Sequence, residues 1–310
     1  MAELLHPAAY MYDVVIVGGG PAGLSAALVL GRCRRRVLLC DAGAPRNQRA
    51  RELHGYLTRD GVPPLELVRA GRLELAPYGI ELRDVLVTGV KTNPDGFTVA
   101  MADGHEAAAR AVLIAGGVRD SFPEIPGLDD CYGISAHHCP YCDGWEEREK
   151  TIAVIGNGAS GSALALSLKT WSDQVILFPH GRARLQPNHR TQLVAHEVRV
   201  QEGPIAKVEH ERGRVTALIL GSGDRVACDA IFMSTRQQPQ CELPKELGCA
   251  LNRQGLVKTD RLGQTEVPGL YVAGDASHDV QFVIVAAAEG AKAAVAINKA
   301  LQARAGLAVS

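Results

Sequence analysis

Two cysteines separated by two residues stand in HHCPYCDGWE, residues 137 to 146, with an acid directly after the second cysteine. Three kinds of chemistry use this spacing: a metal site, a structural disulfide, and a thiol pair that is oxidised and reduced during turnover. A zinc site would need the preceding histidines as ligands. However, His138 adjoins Cys139, and one metal rarely takes neighbouring residues together with a third ligand so close. No second C-x-x-C is present to complete a zinc site.

The spacing favours a redox pair over a structural disulfide. A chain of 310 residues does not need disulfide staples, and a two-residue loop gains little loop-closure entropy from a crosslink. Two thiols this close can re-form their own disulfide after one attacks a substrate disulfide, so a mixed disulfide is resolved internally. If PYCDG opens a helix, the helix N-terminus increases the thiolate fraction. We therefore expect Cys139 and Cys142 to turn over, and the other six cysteines to be small buried side chains.

Composition and charge narrow the classes of partner. The 33 basic and 34 acidic side chains nearly cancel, so the sequence predicts neither nucleic acid nor an anionic membrane surface as a partner. The first residues, MAELLHPAAYMYD, lack the basic and apolar regions of a signal peptide, and no apolar run is long enough to span a bilayer. We expect a cytoplasmic protein with two domains.

A dinucleotide-binding unit is predicted in YDVVIVGGGPAGLSAALVLGRCRRRVLLCDAG. The apolar run 14–17 leads into a glycine turn, a helical stretch and a second apolar run that ends at Asp41. Gly18 suits a tight turn, Gly20 lets the backbone approach a pyrophosphate, and Gly23 lets the helix pack close to the strand. The pyrophosphate would lie at the helix N-terminus, and Asp41 can bind a ribose hydroxyl. An ordinary βα turn is the alternative interpretation.

A second copy of this pattern follows in KTIAVIGNGASGSALALSLKTWSDQVILFPHG. Its three glycines repeat the spacing, at Gly156, Gly158 and Gly161. The strand after its helix is followed by PHG, so no carboxylate meets a ribose there. Arg182 and Arg184 come next and could hold a 2′-phosphate, but the interpretation that they face solvent is favoured.

A third pattern, PGLYVAGDAS at residues 268 to 277, predicts a buried strand that closes on Gly274 and Asp275. An alanine-rich helix is predicted from about Phe282. An acid at a strand end facing a helix start suits a second contact to a cofactor bound at the first glycine turn. The sequence therefore predicts an α/β fold with two Rossmann-like nucleotide-binding domains, the second inserted into the first.

The order GGGPAG, CPYCDG, GNGASG and GLYVAGDAS resembles the low-molecular-weight thioredoxin reductase family and its thioredoxin-reductase-like relatives, over nearly the whole chain. The resemblance implies an FAD-binding domain from residues 1–119 and 243–310. It also implies an inserted pyridine-nucleotide-type domain, 120–242, that carries the redox cysteines, and a homodimer. By this likeness the residues that contact FAD are Gly18, Gly20, Gly23, Asp41, Gly274 and Asp275.

The same likeness assigns roles around the cysteine pair. Cys142 would exchange electrons with the flavin, and Cys139 would exchange with the substrate. Asp143 matches the family's acid–base residue, and a carboxyl group there can protonate a leaving thiolate or take the proton back. Asp143 could instead cap a following segment, and Trp145 could either pack over the motif or be a core tryptophan. The CPYC form looks more like relatives that act on dithiols of small or unusual substrates.

The resemblance is weakest where NADPH would bind. Family members that use NADPH have a histidine and paired arginines that hold the 2′-phosphate, where this chain has LFPHGRARL. We therefore expect an FAD-dependent dithiol/disulfide oxidoreductase that makes no efficient use of NADPH. Its substrate would be a thioredoxin-like protein or a small dithiol, and ferredoxin or oxygen is the candidate electron partner. Two alternatives stay open: a conventional NADPH-dependent thioredoxin reductase, and a flavin- or zinc-binding regulatory protein without turnover.

Overall fold

The computed structural model describes residues 11–252, 255–277 and 280–307, and the described chain divides into two units. The first unit comprises the described residues of Met1–Arg46, Pro64–Arg119 and Gln238–Ser310. The second comprises Asn47–Pro63 and Asp120–Gln237. The second unit thus draws on a segment near the chain start as well as on the long central stretch.

The elements follow in chain order. The first half of the described chain contains β1 (Tyr12–Val17), α1 (Pro21–Arg32), β2 (Val37–Cys40), α2 (Pro64–Glu74), β3 (Glu81–Arg83), β4 (Val87–Asn93), β5 (Gly96–Met101), β6 (Glu106–Ile114), β7 (Val118–Ser121), α3 (Leu128–Cys131), β8 (Ala136–His137) and α4 (Pro140–Asp143). The second half contains β9 (Ile152–Ile155), α5 (Gly158–Leu168), β10 (Val175–Phe178), α6 (Pro187–Ala195), β11 (Arg199–Val200), β12 (Ile205–Glu211), β13 (Arg214–Leu220), β14 (Arg225–Ala227), β15 (Ala230–Met233), β16 (Arg236–Pro239), α7 (Leu243–Glu246), β17 (Leu270–Val272) and α8 (Val283–Arg304).

The first unit is built on a seven-stranded sheet in the order β3-β2-β1-β6-β5-β4, with β17 paired to β6. Strand β1 runs parallel to β2 and β6, and β17 runs parallel to β6. Val14 to Val17 are buried, as expected for a parallel strand covered on both faces. Helices α1 and α8 approach so closely that a Cβ atom on Gly290 would collide with the carbonyl oxygen of Ala22.

The second unit contains a five-stranded parallel sheet in the order β11-β10-β9-β15-β8. Helix α5 packs on one face of this sheet through Leu168, against Leu177 and Phe232. A separate antiparallel sheet of β12, β13 and β14 completes the unit. Strand β8, which leads to the cysteine pair, lies at the edge of the parallel sheet.

Residues 47–63 group with the second unit, whereas the sequence prediction left them in the first domain. The Arg49 guanidinium donates to the Asp129 carboxylate at 2.6 Å and lies 5.5 Å from the ring centre of Tyr132. A Cβ atom on Gly133 would lie 2.6 Å from the Arg49 carbonyl oxygen. The nearest of these partners, Asp129, is 80 positions away in the chain, and local sequence patterns carry no signal for such contacts.

Strands β7 and β16 pair as a separate two-stranded sheet. Thr235 Oγ1 donates to Asp120 Oδ1 at 2.9 Å, and Ser121 Oγ donates to the Arg236 carbonyl at 3.1 Å. Across the described residues, no helix combines the length and the apolarity that crossing a membrane demands.

Candidate functional site

The two cysteines lie at the start of a short helix and are joined by a disulfide. Cys139 is the N-cap of α4, and its Sγ accepts the N–H of Cys142 at 3.1 Å. Pro140 occupies the first helical position, which suits a residue that has no N–H to satisfy. The PYCDG segment therefore opens a helix, and the pair is held at 5.2 Å between Cα atoms.

A tryptophan without a role in the sequence analysis packs against this helix. The Tyr141 ring meets Trp171 edge to face, with ring centres 5.6 Å apart. A Cβ atom on Gly144 would lie 2.8 Å from Trp171 Cδ2. Trp145 is instead 65% exposed, and the Arg148 guanidinium lies 4.1 Å from its ring centre. The interpretation of Trp145 as a core residue is therefore wrong.

A buried histidine lies between two carboxylates beside the cysteine pair. His137, the last residue of β8, is 7% exposed. Its Nδ1 is 3.3 Å from Asp143 Oδ1, and its Nε2 is 3.4 Å from Glu147 Oε1. Glu147 is also buried, and its second carboxylate oxygen accepts from Lys150 Nζ at 2.6 Å.

The charges of this cluster follow from its burial and its contacts. Burial lowers the pKa of His137, but the carboxylates of Asp143 and Glu147 outweigh burial and raise that pKa to about 9. Burial raises the pKa of Glu147, yet contacts with His137 and Lys150 outweigh burial, so the net direction is downward. At neutral pH His137 is therefore an imidazolium and Glu147 a carboxylate.

The first glycine turn leaves open space before α1. Gly20 is the N-cap of α1, no side chain caps the helix, and nothing lies within 4 Å of the position that a Cβ atom on Gly20 would take. Gly18 has φ of 106°, in the left-handed region that favours glycine, and a Cβ atom there would collide with the Ala115 carbonyl oxygen. A Cβ atom on Gly23 would collide with the Gly18 carbonyl oxygen, so helix and turn are in close contact.

Asp41 lies directly after β2 with its carboxylate against the same turn. A Cβ atom on Gly19 would be 2.5 Å from Asp41 Oδ2, a contact that only glycine allows. Asp41 Oδ1 accepts the N–H of Gly43 at 3.2 Å, and Arg72 Nη1 is 3.6 Å from Oδ2. Gly19 therefore matters to the position of Asp41, although the sequence analysis gave Gly19 no role.

Gly274 and Asp275 follow β17 and reach the N-terminal end of α1. A Cβ atom on Gly274 would lie 3.1 Å from Ala22 Cβ. The Gly274 N–H donates to Glu289 Oε2 at 2.8 Å, and Asp275 accepts from Arg46 Nη1 at 2.8 Å. Sequence reasoning missed Arg46 and Glu289, because neither stands in a recognisable motif.

These features fit a dinucleotide cofactor such as FAD. An uncapped helix N-terminus behind an open glycine turn can bind a pyrophosphate, and a carboxylate after the second strand can bind a ribose. The first unit brings the six residues of the first and third sequence patterns to one end of its parallel strands.

The second glycine turn is hydrogen-bonded to a loop of the same unit. Asn157 Oδ1 accepts the N–H of Gly158 and the N–H of Arg184, both at 2.8 Å. Asn157 Nδ2 donates to the carbonyls of Pro179 and Arg182, at 3.1 and 3.0 Å. The Arg184 carbonyl oxygen lies 3.7 Å from the position of a Cβ atom on Gly158. At Gly20 no protein atom lies within 4 Å of the corresponding position.

The remainder of that loop is bonded into the second unit. His180 Nδ1 accepts the N–H of Ile205 at 3.1 Å, and Gly181 pairs with Gly203 through two backbone hydrogen bonds. The side chains of Arg182 and Arg184 are exposed. The histidine that stands where a ribose would be met is thus used to hold the loop.

Known proteins share this architecture. The family model described as pyridine nucleotide-disulphide oxidoreductase matches residues 12–290. A probable thioredoxin reductase from Arthroderma benhamiae is 30% identical over 306 residues, which covers 87% of this chain and 75% of that protein. The crystal structure of HlmI has a TM-score of 0.92 at 38% identity and covers 95% of this chain and 94% of its own. The crystal structure of the putative thioredoxin reductase TrxB from Bacillus anthracis has a TM-score of 0.90 at 30% identity. It covers 95% of this chain and 99% of its own.

The chain belongs to the pyridine nucleotide-disulphide oxidoreductase family. Within that family it is a thioredoxin-reductase-like disulfide oxidoreductase, and the family implies FAD as its cofactor. The predictions of an α/β fold with two Rossmann-like units, of this family and of an enzyme are confirmed.

Proposed function

We propose that the enzyme moves electron pairs between FAD, the Cys139–Cys142 disulfide and a thioredoxin-like protein or small dithiol, without efficient use of NADPH. The observation that carries this proposal is the difference between the two glycine turns. The turn at Gly20 is open and uncapped, whereas the turn at Gly158 is capped by Asn157, whose side chain also holds a loop beside it.

In this proposal the first unit binds FAD, which supplies a two-electron carrier when bound. Gly18, Gly20 and Gly23 shape the pyrophosphate site, and Asp41 binds a ribose hydroxyl. The second contact to FAD comes from Gly274 and Asp275. Two further residues orient this second contact: Glu289, through the Gly274 N–H, and Arg46, through the Asp275 carboxylate.

The cysteine pair then exchanges with the substrate by ordinary thiol–disulfide chemistry. A substrate thiolate attacks Cys139 Sγ, the bond between Cys139 and Cys142 breaks, and its electron pair stays on Cys142 Sγ. A second substrate thiolate attacks the mixed disulfide, so the substrate leaves oxidised and both cysteines are reduced. Asp143 gives a proton to the Cys142 thiolate or takes it back. The reverse sequence reduces a substrate disulfide.

The bonded state of the second turn argues against NADPH as the donor. Asn157 caps α5 and holds the neighbouring loop, and a pyrophosphate that took its place at the Gly158 N–H would cost the bonds to Pro179, Arg182 and Arg184. Each such hydrogen bond contributes about 1 kcal/mol. Ferredoxin or oxygen is the candidate partner on the flavin side. The assignment of residues 120–242 as a pyridine-nucleotide-type domain, the homodimer and the cytoplasmic location belong to the same proposal.

A conventional NADPH-dependent thioredoxin reductase is the second candidate. The similarity to a probable thioredoxin reductase from Arthroderma benhamiae favours thioredoxin reductase activity, and Gly156, Gly158 and Gly161 preserve the glycine spacing of a second dinucleotide site. The two candidates differ in one observable property, which is whether NADPH reduces the bound flavin.

Anaerobic absorbance spectroscopy of the holoenzyme distinguishes the candidates. The proposal predicts that dithiothreitol bleaches the flavin band and that NADPH and NADH leave it unchanged. A conventional NADPH-dependent thioredoxin reductase, treated identically, serves as the positive control for the nucleotides. Rapid bleaching by NADPH would overturn the proposal in favour of the second candidate.

A further inference from the structure

The buried cluster beside the cysteine pair has more groups than a single acid–base residue requires. His137 contacts Asp143 through Nδ1 and Glu147 through Nε2, and Lys150 binds the far side of Glu147. The ring of Phe232, from β15, lies 5.3 Å from the imidazole and covers it with apolar surface. The charged groups of the described chain that face His137 are thus the two carboxylates.

Thiol–disulfide exchange needs a proton at one moment and releases it at another. When the disulfide opens, the leaving Cys142 thiolate must be protonated, and a later step returns that proton. Asp143 can hold one proton, and its neighbour His137 is sealed from solvent, with 7% exposure. The Asp143 side chain is 24% exposed, so a proton on His137 passes to Cys142 or to solvent by way of the carboxylates that contact the imidazole.

We infer that His137 is the proton reservoir of the disulfide site, passing a proton through Asp143 to Cys142 and regaining it, while Glu147 stabilises its charged form. The inference rests on the proposed function, in which Asp143 is the acid–base residue. His137 acts through Asp143, so it is a positioning residue rather than a catalytic one.

The proton count balances for oxidation of a dithiol. The first substrate thiol ionises to solvent, its sulfur bonds to Cys139, and the electron pair of the broken disulfide goes to Cys142. Asp143 protonates Cys142 and takes the Nδ1 proton of His137. The proton of the second substrate thiol then returns through Asp143 to His137, and the Cys139 thiolate that is released takes a proton from solvent. Two protons leave the substrate and two arrive on the cysteines.

The charge state of the cluster supports this assignment. The two carboxylates raise the pKa of His137 to about 9, so the imidazolium is present throughout the neutral range. Because this value exceeds that of a free histidine, the cluster stabilises the fold fully below pH of about 6.5, and the stabilisation is lost as pH rises through about 9. The pKa of Glu147 is lowered, so its contribution is lost on the acidic side.

The test first measures the titration of the His137 ring and then the rate at which the Cys139–Cys142 disulfide is reduced. With ring-labelled histidine, NMR of the holoenzyme measures the pH at which the His137 ring titrates, and His137→Gln identifies its signal among the ten histidines. Glu147→Gln removes one of the two carboxylates, so the titration should move down by about one unit or more. His210→Gln is the matched control, because His210 also pairs with a carboxylate, Asp130, at 3.3 Å.

The half-reaction is the anaerobic reduction of the Cys139–Cys142 disulfide by dithiothreitol, followed by stopped flow across pH. The rate is divided by the fraction of dithiothreitol present as thiolate at each pH. This corrected rate should fall on the basic side in wild type and in the control, with a midpoint near the pH at which His137 titrates. In Glu147→Gln the midpoint should move to lower pH together with the His137 titration. His137→Gln should be slower by about tenfold or more near neutral pH and should lack this fall on the basic side. If His137→Gln does not fold, Glu147→Gln still provides both readouts.

The possible failures are distinguishable. Wild type that is never reduced by dithiothreitol would overturn the proposed function and this inference together. Wild type that is reduced normally, with a pH profile unchanged in Glu147→Gln and His137→Gln, would overturn the inference alone. A rate of His137→Gln that is slower by the same factor at every pH would also overturn the inference alone, since it would show a structural role.

Discussion

At the scale of single residues, Gly20 and Gly158 hold the same place in two copies of one turn but have different surroundings. Before Gly20 there is open space, and before Gly158 there is the Arg184 carbonyl oxygen. The glycine spacing is the same in both copies, so the spacing alone could not show this difference. The turns differ because Asn157, the residue just before Gly158, has a side chain that can bind a loop.

Gly20→Ala should weaken FAD binding without unfolding the chain. The φ of Gly20 is −73°, which alanine adopts easily, and the new methyl group would meet no protein atom within 4 Å. It would instead occupy the space that a pyrophosphate needs. We expect at least about tenfold weaker FAD binding, measured by titrating the apoprotein with FAD.

Gly89→Ala, in β4 of the same unit, is the matched control, because its nearest neighbour would be Ala100 Cβ at 3.9 Å. It should bind FAD as wild type does. Wild-type affinity in Gly20→Ala would contradict the assignment of this turn to the pyrophosphate.

At the scale of elements, Asn157 connects the start of α5 to the loop that follows β10. Its side chain makes four hydrogen bonds, to Gly158, Pro179, Arg182 and Arg184. Only the first of these is an ordinary helix cap. The other three hold the loop beside the glycine turn, so this one side chain links the cap of α5 to the loop after β10.

Asn157→Ala should lower the free energy of unfolding by about 1–3 kcal/mol, because it removes a helix cap and leaves two carbonyls and an N–H without their partner. Urea denaturation followed by circular dichroism measures this difference. The matched control is Asn188→Ala, at an exposed position in α6, which should change the free energy by no more than about 0.5 kcal/mol. Equal stabilities of the two variants would show that the Asn157 bonds do not hold the loop.

The elements around the glycine turns could be predicted closely from the sequence. The strand expected over 14–17 is part of β1, the strand expected just before PHG is β10, and the helix expected from about Phe282 begins at Val283. Apolar runs between glycines give strong local signals for such elements. The burial of cysteines was less predictable, because Cys33 is exposed although four of the other unpaired cysteines are buried.

The cluster around His137 could not have been found in this way. Sequence reasoning treated His137 only as a possible zinc ligand, because it stands beside another histidine and a cysteine. Its partner Glu147 lies ten positions further along the chain, and neither helical nor strand periodicity links the two residues. The chain has to turn after α4 before Glu147 can reach the imidazole.

At the scale of the whole molecule, the described chain has two units, each with its own parallel sheet and its own glycine turn. The open turn and the third sequence pattern lie in the first unit, and the cysteine pair lies in the second. In the proposed function electrons pass between the FAD of one unit and the disulfide of the other, which makes the two units functionally dependent on each other. Under that proposal the flavin spectrum reports the state of cysteines that belong to a different unit.

The most direct test of the account is to compare the flavin absorbance of wild type, Cys139→Ser and Cys142→Ser during anaerobic addition of dithiothreitol. We predict that all three variants bind FAD, that wild type bleaches, and that neither serine variant bleaches because the disulfide cannot form. A wild-type flavin band that is indifferent to dithiothreitol, or serine variants that bleach as fast as wild type, would contradict electron exchange between the flavin and the Cys139–Cys142 pair.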